Sequence, residues 1–346
     1  PFTDPEFPVN NDSFLDVGTC EDAVAYLSNP PQEPFICIAD FQNPHNICGY
    51  VGENKGEHID SPISTPLPLL PENFEVEDWE KLPLPIQYIC CSHRRMMQAA
   101  HWNEDNYRPY VAAFQHYTRI VARQIESVLE ALYSTPAGKN TIVIVLADHG
   151  DGMGSHRMVT KQVSFYEEMT NVPFIIAGPG IHPRQKPVED LLTQPTIDLL
   201  PTLCELAGIP VPSSKPGISL APFLKGEKQK RQHPYAASEW HSEYEVTVSP
   251  GRMIRSPRYK YTHYLEGNGE ELYDMLKDKG ERRNLAHDPK YSKILAEHRA
   301  LLDDYIRRTQ DDYRSLKVEA DKRWRSHAPG YPNHEGPCAR DIINRK

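Results

Sequence analysis

The sequence predicts an α/β fold, a mostly parallel sheet flanked by helices, with a smaller C-terminal α+β subdomain of antiparallel sheet plus helix. In the first two thirds of the chain, short apolar runs alternate with helical patterns, which is typical of a parallel sheet covered by helices. Beyond Gly226 the strand candidates become shorter and more closely spaced, as in antiparallel sheets. The predicted domains are 1–226 for the α/β part, 227–316 for the subdomain and 317–346 for an irregular tail.

Local patterns predict each element of the α/β part. Apolar runs that are too short for a helix indicate buried strands, and apolar residues recurring at steps of three and four indicate helices. The predicted strands are 34–40, 142–146 and 174–177. The predicted helices are 19–27, 110–132 and 196–207, the last of which ends at Gly208.

Two further regions follow from composition and alternation. Residues 49–88 are rich in proline and aperiodic, so they form either a covering loop or a wall of a substrate cleft. In the subdomain, alternating polar and apolar residues predict strands at 235–240, 252–255 and 259–264, closed by a helix at 289–313.

Composition excludes several classes of protein. The 346 residues are 39% hydrophobic and 25% charged, which is ordinary for a globular chain. No apolar stretch reaches the length of a membrane span. The formal net charge of −10 argues against a nucleic acid partner. An anionic substrate must therefore be bound by a local cluster of cations. The seven cysteines follow neither a zinc pattern nor an obvious disulfide framework.

The segment IVIVLADHGDGMGSHRMVTK carries the strongest chemical signal. Asp148 and His149 follow a predicted strand, where ligands gather in α/β sheets, and they form a candidate cation site. Glycines let the next residues approach a ligand, and His156 and Lys161 add a titratable ring and a positive charge. Together these residues indicate hydrolysis of a sulfate or phosphate ester. The alternative is that the aspartate caps a helix and the glycines mark a turn.

A second candidate lies in FQNPHN, which follows the predicted strand at 34–40. His45 stands in this proline-containing turn at the carboxyl end of the strand. Parallel strands place such ends on one edge of the sheet, so His45 is expected to converge with Asp148. Alone, a histidine is more often structural than catalytic.

At these residues the chain resembles the sulfatases of the alkaline-phosphatase superfamily. The matching segments run in the family's order from about Cys20 to Tyr313. The resemblance therefore implies an alkaline-phosphatase-like fold. Within the family, the chain is most similar to the sulfatases of heparan-type glycosaminoglycans, notably the N-sulfoglucosamine sulfohydrolases. The matching segments are PFICIADFQNPH, NTIVIVLADHGDGMGSH, FYEEMTNVPFIIAGPG, MIRSPRYKYTHY and ELYDMLKDKGERRNLAHDP.

The resemblance also implies a ligand set and catalytic roles. Asp148 and His149 would supply two of the ligands of a calcium ion, and the family's N-terminal half would supply two further carboxylates. Chemistry alone would favour zinc or manganese, because calcium prefers oxygen ligands. Lys161 would bind the sulfate oxygens, and His45 would neutralise the bridging oxygen or act as general acid. His156 would line the same pocket, and Arg157 is a further candidate sulfate contact.

One departure from the family is serious. Sulfatases make a formylglycine nucleophile from a Cys/Ser-x-Pro/Ala-x-Arg motif, and this chain lacks it. Residues 90–94, CCSHR, lack the Pro or Ala and follow the predicted strand rather than precede it. We therefore expect the nucleophile on an N-terminal half outside this chain, as a covalent or associated partner, and we expect this chain alone to be inactive. The family is usually exported (periplasmic or extracellular) or lysosomal, although no signal is visible here.

The expected substrate is a sulfated carbohydrate, for which a glycosaminoglycan such as heparan sulfate is the leading candidate. Glu239, His241 and Arg252 in the subdomain are candidate substrate contacts, because a sulfated sugar needs cationic and hydrogen-bonding groups around it. They are equally compatible with surface positions. A phosphodiesterase or phosphonate monoester hydrolase of the same superfamily is an alternative. A non-catalytic glycan-binding relative is another.

Overall fold

The computed structural model describes residues 13–54, 66–75, 81–87, 94–99, 102–161, 164–189, 191–212, 216–228, 233–241, 247–248, 250–317 and 319–320. The α-helices among them are α1 Ser13–Ser28, α2 Ile47–Glu53, α3 Arg94–Gln98, α4 Glu104–Tyr133, α5 Glu167–Thr170, α6 Pro195–Leu206, α7 Ala221–Leu224 and α8 Ser292–Thr309. The strands are β1 Val143–Leu146, β2 Phe174–Ala177, β3 Ala236–Trp240, β4 Thr247–Val248, β5 Gly251–Arg255, β6 Tyr259–Tyr264, β7 Gly269–Asp274 and β8 Glu319–Ala320.

The longest helix, α4, confirms the periodic pattern and begins six residues earlier than predicted. Asn103 caps it: its side chain accepts from the Asn106 amide at 3.3 Å, and the Asn106 side chain accepts from the Asn103 amide at 2.9 Å. Pro109 lies in its second turn. The predicted helix at 196–207 is α6, followed by Gly208 at φ +70°. None of the helices in the described part of the chain is long and apolar enough to span a membrane.

β1 and β2 form a two-stranded antiparallel sheet, with Leu146 opposite Phe174 and Val143 opposite Ala177. Both strands lie where the sequence predicted them, but the expectation of parallel pairing is wrong for this pair. The chain leaves β1 and enters β2 at the same end of the pair, because Leu146 lies opposite Phe174. The site at the end of β1 is therefore built by a hairpin rather than by neighbouring parallel strands.

The strand predicted at 34–40 is not formed. These residues have no strand hydrogen bonds, and the side chains of Ile36 and Ile38 are 84% and 85% exposed. The segment has no neighbouring strand among the described residues, and a strand exists only as part of a paired ladder. An apolar run with the composition of a buried strand thus lies on the surface.

The C-terminal subdomain is a four-stranded antiparallel sheet in the order β3-β5-β6-β7. Leu272, Ile254 and Tyr261 are almost fully buried against Leu295 and Leu302 of α8. The strands predicted at 235–240, 252–255 and 259–264 are confirmed as β3, β5 and β6, whereas β7 was missed. The predicted helix at 289–313 is a short 3-10 turn followed by α8, which ends at Thr309 and is capped by Gln310 at φ +55°. In the predicted tail, the backbone of β8 pairs with β4.

Candidate active site

The candidate active site lies in the segment that joins β1 to β2, of which the structure describes residues 147–161 and 164–173; this segment, which includes α5, is called the loop. Both of its ends leave the hairpin at one edge, because the last residue of β1 pairs with the first residue of β2. The Gly150 amide donates a 3.0 Å hydrogen bond to the Met169 carbonyl, which joins the two arms of the loop. A Cβ atom at Gly150 would lie 1.7 Å from the Glu168 carbonyl oxygen, so only glycine permits this approach.

Asp148 and His149 turn toward one point directly after β1. His149 Nδ1 lies 2.8 Å from the Gly150 carbonyl oxygen, which favours the proton on Nδ1 and leaves the Nε2 lone pair for a ligand. Asp148 Oδ2 lies 3.5 Å from that Nε2. Two donors at this separation can both reach one divalent ion at the usual distance of about 2.0–2.6 Å. The pair therefore fits a metal ion, although it supplies only part of a coordination sphere.

The rest of that sphere is not found in the described residues, where no group of three or more His, Cys, Asp and Glu side chains could hold a metal. Both side chains of the pair are open to solvent: 87% of the Asp148 side chain and 44% of the His149 side chain are exposed. A region that packs against this end of the hairpin would therefore contact the two donor atoms directly.

His156 lies in the packed base of the loop, in the left-handed region at φ +51°. Its ring stacks on Tyr166 with the centroids 4.0 Å apart, and its Nε2 lies 3.4 Å from Asn73 Nδ2. Burial lowers the pKa of His156 to about 4, because the cost of removing the imidazolium from water exceeds the attraction of Glu168. At neutral pH His156 is thus an uncharged ring.

Arg157 is also buried, and its guanidinium is engaged within the loop. Nη2 lies 2.6 Å from Glu75 Oε1, and the guanidinium carbon lies 4.5 Å from the centre of the Phe74 ring. The Arg157 carbonyl accepts a 2.6 Å hydrogen bond from the Tyr107 hydroxyl. These contacts connect Arg157 of the loop to the segment 74–75 and to α4. The predicted contact of Arg157 with sulfate stays a prediction.

The turn that carries His45 lies beside residues 160–161 of the loop. Cys48, whose amide donates to the His45 carbonyl at 2.9 Å, is hydrogen-bonded through its thiol to the Thr160 side chain. Burial raises the pKa of the Cys48 thiol, and the positive charges of Arg95 and Lys161 act in the opposite direction. The segment 45–48 therefore approaches residues 160–161. The predicted convergence of His45 with Asp148 stays a prediction.

Two residues that sequence reasoning missed cross-link this loop. The Tyr110 hydroxyl donates a 2.8 Å hydrogen bond to Asp151 Oδ1 and accepts one of 2.7 Å from the Thr160 amide. Asp151 also accepts from the Met153 amide at 3.1 Å, and burial raises its pKa to about 6. The position of Asp151 in the glycine-rich loop was a usable signal. Tyr110 gave none, because it reads as one more apolar residue on a helix.

The predicted substrate contacts of the subdomain lie on β3 and β5 and just beyond β3. Arg252 pairs bidentately with Asp311, through Nε at 2.7 Å and Nη2 at 3.0 Å. Glu239, opposite Arg252 in the sheet, accepts a 2.5 Å hydrogen bond from the Tyr305 hydroxyl. His241 is exposed just after β3. The structure thus brings Glu239 and Arg252 together, but it engages the Arg252 guanidinium inside the subdomain. Substrate binding by these three residues stays a prediction.

The subdomain also contacts the part of the loop that leads into β2. Lys260 of β6 is almost fully buried, and its ammonium lies 2.8 Å from both Glu167 Oε1 and Glu281 Oε1. It also donates a 2.8 Å hydrogen bond to the Phe165 carbonyl. The arm that returns into β2 is therefore fixed by charged groups of a different sheet.

Comparison with known proteins identifies the family. The family model described as "Sulfatase" matches residues 3–209, which is more than half of the chain. The chain belongs to the sulfatase family. A second model, "N-sulphoglucosamine sulphohydrolase, C-terminal", matches residues 154–308 and bears out the likeness that the sequence suggested.

Individual sulfatases match along the whole chain. A Δ4,5-hexuronate-2-O-sulfatase of Bacteroides thetaiotaomicron is 78% identical over 346 residues, which are 100% of this chain and 72% of that protein. The solved structure of a 2-O glycosaminoglycan sulfatase has a TM-score of 0.92 and 78% identity, and the match covers 99% of this chain and 73% of that one. The predicted sulfatase fold, alkaline-phosphatase-like, is thereby confirmed.

A more distant structure bears on the alternative activity. The phosphonate monoester hydrolase of Agrobacterium radiobacter has a TM-score of 0.65 and 21% identity, and the match covers 84% of this chain and 60% of that one. At that identity the likeness extends to the fold alone.

Proposed function

We propose that this chain is the larger part of a sulfatase that removes the 2-O-sulfate from a hexuronate at the end of a glycosaminoglycan fragment, with heparan sulfate as the leading source. The observation that carries the proposal is 78% identity, over the whole chain, to a Δ4,5-hexuronate-2-O-sulfatase. The retained Asp148, His149 and Lys161 support it, because they supply the metal-binding and anion-binding groups such a reaction needs.

The nucleophile and the remaining metal ligands are proposed to come from an N-terminal region that covers the open edge of the β1–β2 hairpin. Apolar side chains are exposed on the hairpin: Leu146 and Ile175, which point to opposite faces of it, are 43% and 58% exposed. The segment 34–40, which we propose the same region covers, exposes Ile36 and Ile38 beyond 80%. Apolar side chains of this composition are normally covered in a finished α/β sheet. A strand-bearing region seated on them would also reach the exposed Asp148 and His149.

In the proposed reaction, the residues of this chain bind and stabilise charge. Lys161 binds the sulfate oxygens and stabilises the charge that grows on them. His45 donates a proton to the bridging oxygen, or hydrogen-bonds to it, as the sugar hydroxyl leaves. Asp148 and His149 would hold a calcium ion together with two carboxylates of the N-terminal region. That ion would polarise the sulfate, and a formylglycine of the N-terminal region would supply the nucleophile.

The test compares the chain alone with the chain joined to its N-terminal region. Sulfate release is measured on unsaturated disaccharides that carry a single sulfate at the uronate 2-O, glucosamine 6-O or glucosamine N position. We expect release only by the joined protein and only from the 2-O position. Lys161→Ala should reduce turnover by about 10²–10³-fold and His45→Ala by about 10²-fold.

Matched controls keep this test specific. Lys139, which is exposed after α4, should give normal activity as Lys139→Ala. Faster hydrolysis of an aryl phosphonate than of an aryl sulfate would favour the phosphonate monoester hydrolase activity. Glycan binding without hydrolysis by the joined protein would favour the non-catalytic relative. Near-normal activity of both Lys161→Ala and His45→Ala would refute the assigned roles.

The metal is tested without turnover. Calcium should raise the melting temperature of the joined protein, and the shift should disappear in Asp148→Asn and His149→Ala. A larger increase in melting temperature with zinc or manganese would indicate that the site binds one of these metals, which imidazole ligation favours, rather than calcium. Export or lysosomal targeting, which the family resemblance implies, is tested by locating the protein in fractionated cells.

A further inference from the structure

Thr160, immediately before Lys161, has an unusual backbone conformation. Its φ is +55°, in the left-handed region, where a β-branched residue is rare and strained. Such a conformation persists only where the surroundings impose it. Because the backbone torsions of Thr160 set the direction in which the chain continues, they also set where Lys161 begins.

The Tyr110 hydroxyl is one of the groups that impose this conformation. It accepts the Thr160 N–H at 2.7 Å and donates to Asp151 Oδ1 at 2.8 Å. The Thr160 carbonyl in turn accepts from the Gly152 amide at 3.0 Å. Thr160 is therefore bound on both sides of its Cα, once by a tyrosine and once by the opposite arm of the loop.

The environment makes the tyrosine rigid. Tyr110 is fully buried on α4, and its ring packs against Trp102 and Tyr107 with centroids 5.6 Å and 6.4 Å apart. Asp151, which orients the hydroxyl, stands only three residues after Asp148 in the chain. One hydroxyl thus connects Asp151, near the start of the loop where the metal-binding pair lies, with Thr160, which precedes Lys161 in the middle of the loop.

We propose that Tyr110 is a positioning residue, whose hydroxyl, oriented by Asp151, holds Thr160 in the left-handed conformation and so directs the Lys161 ammonium to the sulfate. This inference rests on the proposed role of Lys161. It assigns no contact with substrate to Tyr110 itself.

A double-mutant cycle in the joined protein tests it. Tyr110→Phe keeps the ring and removes the hydroxyl, which should lower kcat/KM for the 2-O-sulfated disaccharide by about 10- to 100-fold. In the Lys161→Ala background the same change should cost less than about threefold, because Tyr110 acts through Lys161. Equal losses in the two backgrounds, or full activity of Tyr110→Phe, would overturn the inference.

Two controls separate positioning from general stability. Tyr107→Phe removes another buried hydroxyl that bonds to the same loop, at Arg157, and it should cost similar stability but much less activity. Thr160→Gly adopts positive φ without strain, so Tyr110→Phe should lose less activity in that background. Activities are normalised to the folded fraction from near-ultraviolet circular dichroism. If Lys161→Ala alone is fully active, the proposed function of Lys161 fails as well, which distinguishes the two failures.

Discussion

The two sheets of this chain differ in how completely they are covered. In the C-terminal sheet, Leu272 and Ile254 are fully buried against α8. In the β1–β2 hairpin, Leu146 and Ile175 point apolar side chains at solvent. The candidate active-site loop is attached to the uncovered hairpin and is clamped from the covered sheet through Lys260. The covered sheet thus packs against a helix of its own subdomain, whereas the hairpin leaves apolar side chains exposed that the proposed N-terminal region would cover.

The largest expected effect concerns two cations, Arg252 and Lys161, that the sequence predicted to contact the substrate. Arg252→Met should lower the free energy of unfolding by about 3–5 kcal/mol, because Asp311, whose side chain is 9% exposed, is left without its partner. The activity per folded molecule of the joined protein should stay near normal. Lys161→Met should show the reverse, with little loss of stability and a large loss of turnover. Urea unfolding and sulfate release measure the two quantities.

The exposed ion pair of Arg314 and Asp303 is the control for the first change. About half of each side chain is exposed, so Arg314→Met should cost less than about 1 kcal/mol. A stable Arg252→Met protein that has lost its activity would instead support the predicted role of Arg252 in substrate binding.

A second pair of substitutions compares the sheets directly. Leu272→Ala opens a cavity in the covered sheet and should cost about 2–5 kcal/mol in urea unfolding. Ile175→Ala in the chain alone should cost less than about 1 kcal/mol, because 58% of Ile175 is already exposed. When the N-terminal region is joined, the cost of Ile175→Ala should rise toward that of Leu272→Ala. An unchanged cost would mean that the region does not cover β2.

The third prediction concerns the base of the loop and its response to pH. His156 has a pKa of about 4 when folded and about 6.5 when unfolded, so between these values the unfolded chain binds more protons. Stability from neutral His156 is complete above pH 6.5 and is lost as the pH falls to 4, with an upper limit of roughly 3 kcal/mol. The charged groups around the ring are Glu168, Asp278 and Lys260.

The prediction for His156 is tested by comparing how steeply the free energy of unfolding depends on pH in two proteins. His156→Asn removes the titrating group, so its free energy of unfolding should fall less steeply than that of the wild type between pH 6.5 and 4. The carboxylates that lose charge over the same range are common to both proteins and cancel in the difference. Parallel curves would show that His156 is accessible to protons in the folded state.

Local signals predicted much of the fold and where the candidate site lies in it. Residues 143–146 and 174–177 form strands because β-branched apolar runs fit a buried sheet, and the Asp148–His149 pair follows from its position after such a run. The direction of pairing was not local information, since it depends on how the 27 residues between the strands return. The exposed apolar run at 34–40 was wrongly predicted to be a strand for a similar reason, because a strand forms only beside a partner strand.

The parts of the site that were missed depend on contacts between residues far apart in sequence. Tyr110 meets Asp151 and Thr160 across 41 and 50 positions, and Arg252 meets Asp311 across 59. No periodicity or motif encodes such hydrogen bonds. The sequence therefore predicted which side chains carry charge at the site, whereas only the structure shows which of those charges are already paired.

The smallest effect on stability gives the sharpest test of the uncovered surface. Ile38→Lys should change the stability of the chain alone by no more than about 0.5 kcal/mol, because 85% of Ile38 is exposed. The same lysine should prevent a separately produced N-terminal region from associating, since covering it would bury an unpaired charge. The exposed thiol of Cys37, between the two isoleucines, reports the covering. A maleimide should label it rapidly in the chain alone, slowly once the region is bound, and rapidly again in Ile38→Lys. Equal labelling rates in all three samples would place the N-terminal region elsewhere on the molecule.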